Sequence, residues 1–152
     1  MTTTRDCGII SLQIRTDFLV DDAAQSLIRS AIEATHNAYI PYSHYPVGAA
    51  LRTRDGSIYK GCNIENASYP VTICAERVAL VKAVSEGQRQ FDAIAVVTSN
   101  GGSPCGMCRQ ALVEFAPRLT VVSCTKHGGE ATWDLATLLP HPFTPAALTH
   151  HQ

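Results

Sequence analysis

Two short apolar runs, FDAIAVVTS at 91–99 and LTVVSC at 119–124, constrain the fold more than any other feature of the chain. Strands this apolar are buried on both faces, so the sheet holding them must be covered above and below. Between them CGMCRQALVEFA reads as a helix, with Pro104 at its entrance. Such strand–helix–strand units predict an α/β protein, a three-layer α-β-α sandwich around a mixed sheet.

The remaining segments fit that frame. From Asp21 or Asp22 the run DDAAQSLIRSAIEATHNA spaces Ala24, Leu27, Ile28, Ala31, Ile32 and Thr35 by threes and fours, an amphipathic helix with an acidic start. Pro41 ends any continuation. VGAALRT and SIYKGCNI flank Asp55-Gly56, the dipeptide of a tight type I′ hairpin turn. ICAERVALVKAVSEG reads as a helix from about Cys74, stopped by Gly87. WDLATLLP reads as a helical turn, and the tail after Pro140 as irregular. The expected order is α-β-β-α-β-α-β. Residues 1–20 read as an extension with a short strand from Ile9 to Ile14, and 21–152 as one domain.

Composition narrows the partners. At 152 residues, 45% hydrophobic and 16% charged, the chain is an ordinary globular mixture. A net charge of −1 offers no bulk positive field for a phosphate polymer, which argues against nucleic acid and for a small substrate. No run of eighteen apolar residues suggests a membrane span, and Arg5 and Asp6 interrupt any secretory signal. The expected compartment is the cytoplasm. Thiols stay reduced there, so cysteines 7, 62, 74, 105, 108 and 124 are expected to bind metal or pack, not form disulfides.

The chemistry gathers at two helix starts. In Cys105-Gly106-Met107-Cys108 two sulfurs on one face can grip a single ion. Alone, that pair also fits a structural zinc or a redox motif. Cys74-Ala75-Glu76, about thirty residues upstream, separates these readings. A third thiolate makes three protein ligands, the count of a catalytic zinc with one open position, and Glu76 stands where a proton shuttle would be. The spacing matches the zinc-deaminase signature in its all-cysteine form. Cys62 and Cys124 fall in strands and read as small buried apolar residues. Three thiolates on Zn²⁺ leave a net −1, which weakens the pull on water. The helix N-termini and Arg77, hydrogen-bonded to a ligand sulfur, are expected to offset it. The alternative for Arg77 is a surface arginine pairing with Glu86 or solvent.

The sequence resembles the small, homotetrameric, three-cysteine cytidine deaminases. PYSHYPVGAAL at 41–51, GCNIENASYPVTICAER at 61–77, KAVSEG at 82–87, SPCGMCRQAL at 103–112 and LLPHPF at 138–143 carry the resemblance. It implies one Zn²⁺ per subunit on Cys74, Cys105 and Cys108, with Glu76 catalytic. It also implies hydrolysis of cytidine, and of deoxycytidine, to uridine or deoxyuridine and ammonia in pyrimidine salvage. Asn63 and Glu65 would bind the ribose hydroxyl, with Ala75 also among the substrate contacts. Tyr45 stands where the family has a phenylalanine stacked on the pyrimidine, and its added hydroxyl needs a partner. Met107 replaces a small residue and reads as packing. Tyr69 and Phe143 would complete a neighbouring subunit's pocket, making shared active sites in a homotetramer.

Overall fold

The computed structural model describes residues 22–151. The expected strand at Ile9–Ile14 and Cys7 lie outside them. Helix α1 (Asp22–Ala34) leads to the hairpin β1 (Gly48–Thr53) and β2 (Ile58–Cys62), then helix α2 (Ala75–Ser85) and β3 (Phe91–Val97). Helix α3 (Gly106–Val113), β4 (Thr120–Thr125), β5 (Gly128–Asp134) and the short α4 (Leu135–Leu138) follow. One mixed sheet runs β2-β1-β3-β4-β5, parallel between β3 and β4 and antiparallel at the other pairings.

The period-two geometry of the central strands sorts side chains by size. Ala50, Ala93, Ala95 and Val97 face α1 and pack on Leu27 and Ala31. Leu51, Ile94, Val96 and Val121 face the other layer, against Ala79, Leu80 and Ala83 of α2 and Leu112 of α3. Small residues let α1 lie close, while the larger aliphatics fill the side that carries the chemistry. The three layers match the sequence expectation.

Two glycines set the closest approaches. A Cβ on Gly48 would lie 2.1 Å from the Ala31 carbonyl oxygen of α1, and one on Gly61 would lie 2.4 Å from the Ala75 carbonyl oxygen of α2. The hairpin is therefore seated between two helices whose nearest atoms at both points are backbone, with the Thr35 methyl at 2.7 Å and Val78 Cβ at 3.0 Å beside them.

The structure departs from the sequence expectations at several places. Strand β5 was not expected. It pairs antiparallel with β4, Val121 opposite Trp133, so Trp133 and Asp134 close a strand and only Leu135–Leu138 is helical. The β1–β2 turn is not type I′, which needs positive φ at both central residues. Gly56 has φ 91°, and Asp55 is not in that region. Thr53 N donates to Ser57 O at 2.9 Å and Gly56 N to Thr53 O at 3.0 Å, a three-residue loop with glycine in the left-handed position. The tail forms a 3₁₀ helix at Pro145–His151 instead of remaining irregular.

Candidate active site

Helices α2 and α3 begin side by side, each preceded by a cysteine in extended backbone, Cys74 and Cys105. Cys108, one turn into α3, is completely buried. The Sγ atoms of Cys74 and Cys105 are 3.8 Å apart, those of Cys105 and Cys108 are 3.5 Å apart, and all three lie within 4.8 Å of one another. A tetrahedral zinc with Zn–S bonds of ~2.3 Å separates its sulfurs by about 3.8 Å. The cluster thus fits the ion without rearrangement, and the sulfur distances are far too long for a disulfide.

The thiols influence one another strongly. Cys74 is pulled down to about 5, chiefly by a hydrogen bond from Cys108 and further by Arg77 and Cys105, against burial. Cys108 is pushed up by donating that bond to Cys74, by burial and by the charge of Glu76. Negative charge therefore rests on Cys74 first. Glu76, in the first turn of α2 and only 4% exposed, has its carboxyl raised by burial, with the Cys74 charge adding to it. Ala75, between the two, is completely buried.

Arg77 is not the surface arginine of the alternative reading. Its Nη2 donates to Thr72 O at 3.2 Å, its buried Nε has no hydrogen-bond partner among the described residues, and the guanidinium holds Cys74 down by hydrogen bonding and by its charge. Among the described residues no ion pair joins it to Glu86.

The other sequence-derived residues are held by contacts of different kinds. Asn63 is buried and bonded to the chain through both amide atoms, its Oδ1 accepting from Val47 N and its Nδ2 donating to Tyr45 O, both at 2.9 Å, which leaves one N–H and one acceptor position for a ligand. Glu65 Oε2 accepts from Tyr42 N at 2.9 Å and Ser43 N at 3.2 Å. The Ser43 hydroxyl, first among several hydrogen bonds, holds its carboxyl below the usual range. Both residues thus fasten the 42–47 loop that carries Tyr45. The Tyr45 hydroxyl donates to Asn100 Oδ1 at 2.6 Å, which answers its need for a partner. Tyr69 is 71% exposed with its ring edge-on to Tyr42, and Phe143 is 60% exposed.

Two expectations are corrected. Met107 is exposed and packs on nothing in its own core. Cys62 is half-buried, its thiol donating to Asn37 O at 3.2 Å, whereas Cys124 is buried as expected.

Three side chains escaped the sequence reading. Arg109 clamps the loop before Cys105, donating to Pro104 O at 2.7 Å, Ser103 Oγ at 2.8 Å and Leu138 O at 2.8 Å. Gln110 grips the backbone of Phe143 twice, Nε2 to its O at 2.7 Å and its N to Oε1 at 3.2 Å. The third is Asn100. An Arg-Gln pair immediately after a metal-binding cysteine was the available signal for the first two.

Fold and site together define a metal-binding α/β protein whose ligands stand at the N-termini of two adjacent helices. The chain belongs to the cytidine and deoxycytidylate deaminase family, whose zinc-binding region matches residues 21–124. It is 47% identical to a cytidine deaminase of Sporosarcina psychrophila over 129 residues, 83% of this chain and 95% of that one. A cytidine deaminase of Halalkalibacterium halodurans is 50% identical over 123 residues, covering 79% and 93%. Among solved structures, a cytidine deaminase from Burkholderia pseudomallei superposes with a TM-score of 0.75 at 46% identity, covering 78% of this chain and 98% of that one.

Proposed function

We propose that this chain hydrolyses cytidine, and deoxycytidine, to uridine or deoxyuridine and ammonia, serving pyrimidine salvage in the cytoplasm. One observation carries the reading: three sulfurs converge within 4.8 Å beside a buried glutamate two residues from one of them. A zinc ion on Cys74, Cys105 and Cys108 would supply Lewis acidity and an activated water.

The protein's own groups account for the proton movements. Glu76 takes a proton from the attacking water and delivers it to N3 of the cytosine ring as the oxygen bonds to C4. It then takes that oxygen's second proton and passes it to the exocyclic amine as the C4–N4 bond breaks, and ammonia leaves. Burial, which raises its carboxyl, suits a group that must both accept and release protons. Arg77 stabilises the thiolate of Cys74. Asn63 and Glu65 meet the ribose. Tyr45 stacks on the pyrimidine, and Ala75 completes the substrate contacts.

Tyr69 and Phe143 reach a neighbouring subunit's pocket in a homotetramer, and two aromatics this exposed support that role. Residues 21–152 form the deaminase domain and 1–20 an extension, which the start of the family match at residue 21 supports.

The decisive measurement is ammonia release from cytidine together with zinc content, in the wild type and Glu76→Gln. The wild type is expected to be active. The variant should keep zinc and lose at least about 10²-fold in kcat. A zinc-loaded variant with full activity would overturn the role of Glu76, and a zinc-loaded wild type inert toward cytidine would overturn the substrate.

A further inference from the structure

Tyr45 is held at its backbone and at its hydroxyl. Its carbonyl oxygen accepts from Asn63 Nδ2 at 2.9 Å and its N–H donates to Ser43 Oγ at 3.1 Å, while its hydroxyl reaches Asn100 Oδ1, 55 residues away in sequence, at 2.6 Å. Asn100 is itself held. The same Oδ1 accepts from the Thr98 hydroxyl at 3.2 Å, and Thr98 Oγ1 in turn accepts from Gly102 N at 2.8 Å. Gly102 O accepts from Ser123 Oγ at 2.8 Å, and Thr98 N donates to Cys124 O at 3.1 Å. Thr98, just past β3, and Ser123, within β4, are buried. The acceptor that receives the tyrosine is thus anchored to the rigid sheet through a chain of bonds within one short loop.

That loop runs directly into Ser103, Pro104 and the first cysteine of α3. Gly102 lies beside both partners: a Cβ on it would sit in ordinary contact with them, 3.5 Å from Asn100 Oδ1 and 3.7 Å from the Tyr45 hydroxyl. The geometry points to Asn100 as the positioning residue for Tyr45, tying the tilt of the ring to the loop that leads to the metal-binding cysteines. This inference rests on the reading that Tyr45 lies against the pyrimidine.

A tyrosine at this position without its acceptor has to hydrate its hydroxyl, and its ring is then free to swing from the base. Replacing Asn100 with alanine should therefore weaken ground-state binding and leave the chemical step alone. Losing one neutral hydrogen bond corresponds to a rise in KM of about 3- to 10-fold with kcat nearly unchanged. A phenylalanine at 45 has no hydroxyl to satisfy, so in that background Asn100 should no longer matter.

The test is a kinetic cycle on cytidine with the zinc-loaded wild type, Asn100→Ala, Tyr45→Phe and the double variant, with zinc content and Tm measured on each. Expected are a raised KM for Asn100→Ala, no further rise when that change is added to Tyr45→Phe, and unchanged zinc content. Asn100→Asp, which keeps an acceptor oxygen, should stay near the wild-type KM. An equal effect of Asn100→Ala in both backgrounds, or a fall in zinc content that accounts for the loss, overturns the assignment. Tyr45→Ala separates this from the underlying reading. If it raises KM while the cycle is flat, only the role of Asn100 fails. If it leaves KM for cytidine unchanged, the placement of Tyr45 at the base fails and the proposal with it.

Discussion

The charge on the sulfur cluster rests first on Cys74, and this has a measurable consequence without metal. Its folded value of about 5 lies below the 9.0 of a free thiol. The folded state therefore binds fewer protons at this residue than the unfolded chain, and its contribution to stability grows from pH ~5 to pH ~9. Cys108, shifted the other way from 9.0, is a thiol in both states below that value and works against folding above it. The Tm of the metal-free protein should climb between pH 5 and 8, and that slope should shrink in Cys74→Ala; equal slopes would contradict the assignment. Arg77 is the second residue to test. Its buried Nε has no partner among the described residues, and the guanidinium lowers Cys74 by hydrogen bonding and by its charge, so Arg77→Ala should raise the thiolate titration midpoint, read by ultraviolet absorbance, and speed zinc loss to a chelator. The ligand set was legible because sulfur spacing of three residues, and a glutamate two residues past a cysteine, encode geometry locally. Asn100 and Gln110 were not, because their partners lie 55 and 33 residues away and meet them only in the folded sheet.

Among the elements, β3, β4 and all three longer helices could be read from apolar runs and periodicity, whereas β5 could not. GGEATWD opens on two glycines and alternates only through Ala131 and Trp133, too short a pattern to mark a strand, and its strand character comes from backbone pairing with β4. The hairpin itself was legible but its turn was not, since Asp-Gly serves both the two-residue turn and the three-residue loop with a left-handed glycine. Helix α2 carries the sharpest prediction at this scale. Gly61→Ala would drive a Cβ into the Ala75 carbonyl and Ala79 N–H, 2.4 and 2.5 Å away, at the end of the helix that presents Cys74 and Glu76. A loss of about 1–3 kcal/mol is expected from such overpacking, together with weaker zinc retention. Gly106→Ala is the control. It lies at the start of α3 with nothing within 4 Å of the added carbon, so denaturant unfolding should show it near neutral. Equal losses in both variants would show that contact with α2 does not decide the outcome.

For the whole molecule the question is whether one chain suffices. Gln110 pins the backbone of an aromatic that points largely into solvent, an arrangement that makes sense when a second copy supplies the surface. Sedimentation should give a mass near four times 16.4 kDa. Co-refolding Glu76→Gln with Phe143→Ala chains should restore part of the activity each lacks alone, because mixed assemblies contain sites with an intact glutamate and a neighbour's intact aromatic. No recovery in mixtures shown to have exchanged subunits would assign Phe143 to its own chain. A different constraint follows from the two glycines that seat the hairpin against α1 and α2. The separation of those helices is set by the thickness of bare backbone, a length that no repacking of neighbouring side chains can adjust. Gradual drift, in which one residue shrinks while another grows, is therefore closed at Gly48 and Gly61. Descendants of this chain can exchange most of their core volume and still face the same two fixed spacings, which makes these positions better markers of ancestry than the leucines around them.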